Sequence, residues 1–233
     1  NRFFPIDPVS GRLCTIGGMT STNAAGPHGV KYGSMKDHVE SLTVVLSNGD
    51  LARITAPSGN HKEESPSLEN IRTRLKETLI PNRAEILKAF PKVAKNSSGY
   101  NLRDAIVSDE LDLRKIIVGS EGTLAIVVET TLRLAVQPKS RIGAVASFSS
   151  YESAVEATLT ALTTDPAAIE IMDHTYVSHG RGFSEVTERL ILPDSVAVLY
   201  FEYEGESTDE LRSKASSLRS LVKSCNPLEF SIL

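Results

Sequence analysis

The sequence predicts an α+β fold, and three observations lead to it. Two β-rich runs flank Asn48-Gly49 over residues 41–55, a β-branched run alternates in polarity over residues 126–134, and strands alternate with helices from residue 142 onward. Asn-Gly accepts positive φ at both central positions of a tight turn, so the first run predicts a β-hairpin. We therefore expect strands and helices to combine in one mixed architecture.

Helices are predicted between the hairpin and the β-branched run. Ser65-Pro66 suits an N-cap and first helical turn, and Pro81 ends that helix. A second helix is expected over residues 82–90, before Pro91. Residues 116–118 predict a short apolar strand that leads into a Gly-Ser-Glu-Gly turn. The inward face of the first helix is expected to consist of Ile71, Leu75 and Leu79.

The second half of the chain predicts a ferredoxin-like layer. Strands are expected over residues 142–149, 167–173 and 195–205, and a last one near Leu228. Helices are expected over residues 151–164 and 207–224, the second with a capping box between Ser207 and Glu210. This order suits a split βαβ arrangement. We place the domain boundary near residue 137, so residues 1–137 and 138–233 form the two predicted domains. The inward residues of the first of these helices are predicted to be Ala154, Val155, Leu159 and Leu162.

Composition excludes several classes of protein. A length of 233 residues allows one large or two modest domains, and a net charge of -4 gives no reason to expect nucleic acid as a partner. Cys14 and Cys225 lie too far apart for a disulfide framework or zinc knuckle, which favours a reducing, cytoplasmic location. No apolar run reaches the roughly 18 residues of a transmembrane helix, and no signal peptide is visible. The ends, at Asn1 and within a predicted strand, suggest a fragment of a longer polypeptide.

A glycine-rich stretch over residues 11–29 has two interpretations. Gly17-Gly18 and the small residues after them can form a tight corner, or they can approach a phosphate closely through bare N–H groups. No lysine follows the glycines and no G-x-G-x-x-G occurs, so a P-loop and a Rossmann site are not supported. Two more segments, 95–102 and 118–134, share this character and adjoin apolar strands. Three such segments favour one extended, phosphate-bearing cofactor.

The motifs "FFPIDP", "CTIGGMTSTNAAG", "KYGSMKDHV", "KNSSGYNL" and "VGSEGTLAIVVETTLRL" together resemble the FAD-linked oxidases of the vanillyl-alcohol oxidase type, with a PCMH-type FAD-binding domain. The similar members are D-lactate dehydrogenase, the glycolate oxidase flavin subunit and D-2-hydroxyglutarate dehydrogenase. The resemblance implies the second subdomain of the FAD-binding domain, followed by part of a ferredoxin-like α+β cap domain that receives the substrate. It implies FAD as cofactor.

The resemblance also implies which residues contact FAD. One set follows the flavin and its pyrophosphate, and a second set holds the adenosine half through backbone contacts. Ala125 stands where the family often has glycine. Asp7 and Glu121 either accept hydrogen bonds from ribose or amide groups or are solvated turn residues. The first set is Pro5, Asp7, Thr15, Ile16, Gly17, Gly18, Thr22, Asn23, Gly26, Tyr32 and Gly33; the second is Gly119, Glu121, Gly122, Ile126 and Val127.

The implied activity is oxidation of a D-2-hydroxy acid such as lactate, glycolate or 2-hydroxyglutarate, by hydride transfer to FAD. The implied electron acceptor is a quinone, a cytochrome or an iron–sulfur module. The intact enzyme is expected to form a homodimer, and its location is expected to be cytoplasmic or peripheral to a membrane. Alternatives are an ether-lipid synthase, an enolpyruvyl-sugar reductase or a non-catalytic scaffold subunit. The first flavin loop is expected before residue 1 and a metal-binding histidine pair after residue 233, so we expect residues 1–233 alone to hold FAD weakly or not at all.

Several further residues are weighed as site candidates. None of the five histidines shows H-x-H spacing, so no metal is assigned, and no catalytic base is identified. His28 can face the active site, although a surface loop position is preferred. Lys95, Arg103 and Arg133 can contact an anion, but solvated charges are preferred. Cys14 is expected to be buried and reduced rather than a flavin anchor, and Tyr100 to pack at a core edge. The five histidines are His28, His38, His61, His174 and His179.

Overall fold

The computed structural model describes residues 1–57, 65–93, 95–180, 192 and 194–233. These residues form two compact units. The N-terminal unit consists of Phe4–Gly26 and Gly33–Ala135, and the C-terminal unit consists of Asn1–Phe3, Pro27–Tyr32 and Val136–Leu233. The short segment Pro27–Tyr32 therefore belongs to the C-terminal unit, although the sequence around it belongs to the other one. The predicted domain boundary near residue 137 stays a prediction.

The N-terminal unit contains a three-stranded antiparallel sheet of β2 (Val39–Val45), β3 (Leu51–Ile54) and β6 (Ile126–Leu132), in the order β3-β2-β6. The register of β2 against β6 shifts twice, between Val39 and Ser41 and again between Thr43 and Val44. Such irregularities add local twist to a strand pair. The predicted hairpin and the predicted β-branched strand are both confirmed.

The turn of the hairpin differs in detail from the prediction. Gly49 has a φ of +86°, but Asn48 is not among the residues with positive φ, so positive φ at both central positions was wrong. The strands instead close through a wider loop, in which Leu46 N–H donates to Asp50 O (2.9 Å) and Gly49 N–H donates to Leu46 O (2.9 Å). Only the glycine needs the left-handed region here.

The described part of the N-terminal unit also contains helices of 4 to 14 residues, of which α4 (Pro66–Leu79) is the longest. Ser65 caps α4 by accepting from Leu68 N–H at 3.2 Å, as predicted. The predicted strand at residues 116–118 was wrong: residues 116 and 117 end the helix α7 (Leu113–Ile117), which begins where the Asp112 carboxylate accepts from Arg114 N–H. The remaining elements are α1 (Ile16–Ser21), α3 (Met35–His38), α4 (Pro66–Leu79), α5 (Arg83–Ala89), α6 (Leu102–Ala105), β4 (Ile106–Val107), β5 (Glu110–Leu111) and α7 (Leu113–Ile117).

The buried face of α4 is rotated from the predicted one. Ile71 is 39% exposed, while Leu68 and Leu79 are buried and Leu75 packs against the core. Arg72 completes this face, since its guanidinium donates to Leu111 O at 3.0 Å. The Leu111 carbonyl satisfies one donor of this buried guanidinium, so the face includes a polar residue that a hydrophobic pattern does not detect.

The C-terminal unit is a four-stranded antiparallel sheet with the strand order β11-β8-β10-β9. With helices between the strands, this is the ferredoxin-like arrangement that the sequence predicted. The α+β fold class is confirmed. The elements are β1 (Arg2–Phe3), α2 (Gly29–Tyr32), β7 (Ala135–Val136, where the chain passes between units), β8 (Ser140–Phe148), α8 (Tyr151–Leu162), β9 (Ala168–Asp173), α9 (His174–Gly180), β10 (Ala197–Gly205), α10 (Thr208–Leu221), a 3-10 turn (Val222–Cys225) and β11 (Glu229–Ile232).

The predicted inward face of α8 was wrong for three of its four residues. Val155, Leu159 and Leu162 are about half exposed or more, at 53%, 63% and 47%. The helix instead buries its alanines, Ala154, Ala157 and Ala161, each fully inaccessible to solvent. Small side chains let the helix backbone approach the sheet closely, so the larger apolar residues remain outside the core.

The cap of α10 also differs from the prediction. Ser207 occupies the N-cap position, but its side chain makes no capping hydrogen bond, so the predicted capping box with Glu210 is wrong. The apolar face of this helix is still well defined, because Leu211, Ala215 and Leu218 are fully buried in the core below the sheet. Packing of that face, rather than capping, is the main source of stability for such a helix.

The two faces of the C-terminal sheet have opposite character. On β10, the odd-numbered residues Leu199, Phe201 and Tyr203 lie in the core beneath α8 and α10. The even-numbered Tyr200, Glu202 and Glu204 therefore lie on the other face, since strand side chains alternate. That face carries a small apolar cluster, Val145, Val177 and Val198, and a larger group of charged residues described below.

Candidate functional site

The glycine-rich stretch contains a short helix, α1, where a loop was predicted. Thr15 caps α1, because its hydroxyl accepts from Gly18 N–H at 3.1 Å. Thr20 is fully buried and donates to Ile16 O at 2.8 Å, while Gly18 and Thr22 stay exposed. Two glycines in a six-residue helix are tolerated here because the cap and the buried threonine hold it.

Main-chain hydrogen bonds join this stretch to the Gly-Ser-Glu-Gly turn. Gly119 N–H donates to Thr20 O at 3.1 Å, and Glu121 N–H donates to Ser21 O at 2.8 Å. Gly119 and Glu121 both have positive φ, +87° and +54°. A non-glycine residue in that region is uncommon, and its strain is held in place by the surrounding bonds. The end of α1 and the turn therefore form one structural feature.

The third glycine-containing segment reaches the same turn. The Tyr100 and Thr123 hydroxyls lie 2.8 Å apart, and Thr123 donates to Ser120 O at 2.6 Å. Tyr100 is 42% exposed, so the prediction that it packs at a core edge was wrong. The segments that the sequence marked as similar in character thus lie side by side in the N-terminal unit. We call them together the glycine cradle, meaning residues 15–26, 95–102 and 118–127.

At two positions of the cradle the local structure favours the residue type that is present. A Cβ on Gly26 would overlap the backbone and side chain of Asp7. Asn23 is buried, has a φ of +49°, and accepts from Lys36 N–H at 3.0 Å through its Oδ1. Gly26 and Asn23 therefore hold the chain at the end of the stretch, whatever they do for a ligand.

The predicted cofactor residues divide by exposure. All of them except Tyr32 lie in the N-terminal unit. Pro5 and Asn23 are buried, and Gly17, Gly26, Gly33, Gly119 and Val127 are intermediate. The exposed members are Asp7, Thr15, Ile16, Gly18, Thr22, Glu121, Gly122 and Ile126. Whether each of these residues contacts a cofactor stays a prediction. Ala125 is 6% exposed and belongs to the core, so its methyl group packs inward.

The C-terminal unit contains a dense polar network that the sequence analysis missed. We call it the β10 network. Its centre is two carboxylates, Glu202 and Glu204, on the same face of β10. His28 Nε2 lies 2.8 Å from Glu202 Oε1, and Tyr200 donates to Glu202 Oε2 at 2.7 Å. The signal was present in "YFEYEG", where polar residues occupy every second position of a strong strand.

Glu204 is the most buried member of this network. Its side chain has no exposed surface, and its Oε2 accepts from Tyr32 (2.5 Å) and Lys31 (3.1 Å). Arg141 Nη2 lies 2.7 Å from Glu204 Oε1 as an ion pair that does not have hydrogen-bond geometry. Burial alone raises the pKa of Glu204, but the hydrogen bonds from Tyr32 and Lys31 outweigh it, so the pKa is lowered.

The tyrosines of the network remain protonated donors. The pKa of Tyr32 is raised, first by burial and then by its hydrogen bond to Glu204. The pKa of Tyr200 is raised by burial and by its hydrogen bond to Glu202. Each phenol therefore keeps its proton and donates a hydrogen bond to a carboxylate, that of Glu204 or Glu202.

His28, Glu202 and Glu204 offer three ligand atoms within 4.8 Å of one another, a spacing that suits a metal ion. The same carboxylates already face two permanent cations, Lys31 and Arg141, which balance their charge. We therefore describe the network as an ion cluster that holds the segment Pro27–Tyr32. His28 is largely buried, with 14% of its side chain exposed, so its preferred assignment to a surface loop was wrong.

The other residues named from the sequence have varied positions. Cys14 is exposed, which contradicts its predicted burial, and Cys225 is buried; both are free thiols. Arg103 pairs with Asp104 at 3.1 Å, and Lys95 is exposed. His38, His174 and His179 each lie within hydrogen-bond distance of a backbone carbonyl oxygen. His61 lies outside the described residues. Within the described part of the chain, no helix is long and apolar enough to cross a membrane.

Two stretches of the chain match models of known protein families. Residues 1–55 match a family model described as FAD binding domain, and residues 137–227 match one described as FAD linked oxidases, C-terminal domain. The chain belongs to the FAD-linked oxidase family. The two matches flank residues 56–136, which carry the second and third parts of the cradle.

Several curated FAD-linked oxidase relatives are similar over most of this chain. The probable mitochondrial D-lactate dehydrogenase of Danio rerio is 30% identical over 207 residues, which is 88% of this chain and 32% of the relative. The glycolate oxidase subunit GlcD of Bacillus subtilis is 29% identical over 87% of this chain and 33% of its own length. D-2-hydroxyglutarate dehydrogenase of Haemophilus influenzae is 27% identical over 73% of this chain and 18% of its own length. The chain thus spans about a third or less of these relatives.

Solved structures show the same fold. A structure of alkyldihydroxyacetonephosphate synthase superposes with a TM-score of 0.60 at 17% identity, and covers 97% of this chain and 35% of the synthase. A second crystal form of that synthase gives a TM-score of 0.59 at 18% identity. At this identity the likeness shows the fold of the FAD-linked oxidases alone.

Proposed function

We propose that the glycine cradle binds FAD. The carrying observation is the pair of main-chain bonds from Gly119 and Glu121 to the end of α1, which brings distant glycine segments to one place. Thr15, Gly18 and Thr22 are exposed residues there, although the N–H groups of Gly18 and Thr22 already donate within this stretch. Backbone N–H groups without bulky neighbours suit phosphate oxygens, and this chain offers no lysine for that purpose in the cradle's first segment.

The residues present fit such a cofactor. Gly122 has a φ of +78°, and a Cβ built on it meets nothing within 4 Å, so the turn is open on its outer side. Ile16 and Ile126 expose apolar surface beside α1 and on β6, at 42% and 65%. A surface of open backbone next to apolar side chains suits a ligand that combines a diphosphate with flat ring systems.

We further propose that the intact protein oxidises a D-2-hydroxy acid. Bound FAD would supply the hydride acceptor for such an oxidation. The chain's own contribution is to bind and orient the cofactor through the cradle, while the C-terminal unit supplies the ferredoxin-like substrate layer. The relatives named as D-lactate dehydrogenase, glycolate oxidase subunit and D-2-hydroxyglutarate dehydrogenase support this class of substrate. A cytochrome or another electron acceptor, a homodimer and a cytoplasmic location belong to the same proposal.

A matched pair of glycine variants tests the cradle. Gly122→Ala and Gly49→Ala both place a methyl group at a positive φ, and both methyl groups meet open space. Backbone strain is therefore similar in the two variants, about 1 kcal/mol each. We expect Gly122→Ala to weaken FAD binding by the full-length protein at least fivefold in a flavin fluorescence titration, and Gly49→Ala to leave it unchanged. Equal affinities in the two variants would contradict the cradle.

The activity is tested separately. Full-length protein purified with its flavin is mixed without oxygen with D-lactate, glycolate or D-2-hydroxyglutarate, and the visible flavin absorbance is followed. We expect one of these acids to bleach the flavin and the L-enantiomers of lactate and 2-hydroxyglutarate to fail. A flavin-loaded protein that none of the acids reduces would indicate a different reaction on this fold, and a colourless protein would favour a scaffold subunit.

A further inference from the structure

A polar cavity of about 400 Å³ lies beside α3 in the N-terminal unit. It is outside the β10 network, and the cradle residues do not line it. Its walls come from α3, the start of β2, α7 and the residue after β6. The charged residues in the lining are the four permanent cations Lys36, Arg114, Lys115 and Arg133 and the two carboxylates Asp37 and Glu40.

Two of the four cations have carboxylate partners. Lys36 Nζ lies 2.6 Å from Asp104 Oδ2, and Arg114 Nη2 lies 2.6 Å from Asp112 Oδ2. Burial raises the pKa of Asp104, but hydrogen bonds from Lys36, Asn101 and Arg103 outweigh this and lower it to about 2. Asp104 is therefore ionised at neutral pH, and in each pair the carboxylate lies close enough to offset the charge of its cation.

Lys115 and Arg133 differ, because within the described ranges neither has a carboxylate at ion-pair distance. Each donates to a main-chain carbonyl at the end of α3 instead: Lys115 Nζ to Lys36 O, and Arg133 Nη2 to Asp37 O at 2.6 Å. A carbonyl satisfies one N–H group but does not neutralise a positive charge. Both side chains also retain further donors, since an ammonium has three and a guanidinium five.

The two carboxylates in the cavity lining do not form ion pairs with Lys115 or Arg133. The Asp37 carboxylate accepts from Ser34 N–H (2.8 Å) and the Ser34 hydroxyl (3.2 Å), which directs it to the start of α3. Glu40 is exposed, and only its backbone oxygen is bonded to a cation of the cavity, by Arg114 Nη1 at 2.9 Å. Lys115 is partly buried, and that burial lowers its pKa more than the nearby charges of Asp37 and Asp112 raise it.

We propose that this cavity binds an oxyanion, a phosphate or carboxylate group, with Arg133 and Lys115 as its direct ligands. A planar guanidinium and an ammonium that line one cavity suit both groups, and the polar cavity has room for a small anion with water around it. The site goes beyond the proposed FAD cradle and uses different residues. The anion is either a free metabolite or the diphosphate of a bound nucleotide cofactor, which share this chemistry.

The test uses inorganic phosphate as the probe. Thermal unfolding of the full chain is measured in phosphate and in chloride at equal ionic strength. We expect phosphate at tens of millimolar to raise the unfolding midpoint of the wild type by about 2 °C or more, since a ligand that binds only the folded state stabilises it. Arg133→Gln and Lys115→Met should lose this increase, whereas Lys139→Gln, which removes an exposed lysine of the C-terminal unit, should keep it.

Two results would overturn the site: an equal midpoint of the wild type in phosphate and chloride, or an unchanged phosphate effect in both cavity variants. Lys115→Met also removes a donor to Lys36 O, so its fold is checked by circular dichroism, and Arg133→Gln decides alone if Lys115→Met does not fold. Repeating the titration with saturating FAD separates the two sources. A phosphate effect that FAD abolishes, together with weaker FAD binding in Arg133→Gln, assigns the site to the cofactor's diphosphate; an effect that persists assigns it to a free anion.

Discussion

Replacing Glu204 with glutamine is the sharpest test of the β10 network. The substitution keeps the shape of the side chain and an oxygen that accepts from Tyr32, but it removes the charge that faces Lys31 and Arg141. The side chain of Glu204 has no exposed surface, so the loss cannot be replaced by water without local rearrangement.

The expected cost follows from the exposure of the partners. Hydrogen bonds to a buried charge contribute about 1.5–3 kcal/mol. Lys31 and Arg141 have 31% and 50% of their side chains exposed, so solvent screening reduces what their pairing adds. We therefore expect Glu204→Gln to lower the free energy of unfolding by about 2 kcal/mol, which for a chain of this length lowers the unfolding midpoint by roughly 4–8 °C.

The assay is thermal unfolding of the wild type and the variant across pH, followed by circular dichroism. Because the folded pKa of Glu204 is lowered, its contribution is fully present above the unfolded pKa and is lost as the pH falls through the folded value. The difference between the two proteins should therefore be constant from pH 7 to about 5 and should shrink below about pH 4. Glu206→Gln is the matched control. Glu206 lies two positions after Glu204, is exposed and pairs with Lys139.

Equal unfolding temperatures of Glu204→Gln and Glu206→Gln at pH 7 would refute a stabilising role of the Glu204 charge. It would also be refuted by a difference that stayed unchanged down to pH 3, because the charge of Glu204 would then not be its source. A variant that is more stable than the wild type would show that desolvation of the buried carboxylate outweighs its partners.

Two further predictions concern packing. Ala157→Leu adds volume where α8 contacts the sheet and should lower the free energy of unfolding in urea by about 1–3 kcal/mol. Leu159→Ser, on the exposed side of the same helix, should stay within about 0.5 kcal/mol of the wild type. The opposite order of the two variants would indicate that Leu159, as the hydrophobic pattern predicted, lies on the buried face. Gly26→Ala would overlap Asp7 and should cost about 3 kcal/mol, clearly more than the roughly 1 kcal/mol of Gly49→Ala, whose methyl group meets open space, and equal urea midpoints for the two would contradict the close approach.

Local patterns predicted the elements whose signals lie within a few residues. The hairpin at Asn48-Gly49, the capped start of α4 at Ser65 and the strand Ala197–Gly205 all follow from neighbouring residues, and all three are present. Periodicity failed where side-chain size decides the packing. On α8 the alanines face the sheet, because contact between a helix and a sheet is set by how closely the backbones approach, which a hydrophobicity pattern does not measure.

In the candidate site, too, some features follow from local sequence and others depend on long-range contacts. The sequence marked three glycine segments as alike and pointed to one ligand. Their contact, however, depends on bonds such as Gly119 N–H to Thr20 O, between residues about a hundred positions apart. The β10 network was not predicted, although the alternation of Tyr200, Glu202 and Glu204 was visible, because their partners His28 and Lys31 lie more than 170 positions away.

The sequence by itself determined the fold class, the order of strands and helices in the second half and the family, since each of these is written in short motifs and local periodicity. Only the tertiary structure decided which glycines meet, which face of α8 is buried and that Glu204 loses its contact with water. Those outcomes depend on long-range backbone bonds and on how closely elements pack, and both are fixed only when the whole chain has folded.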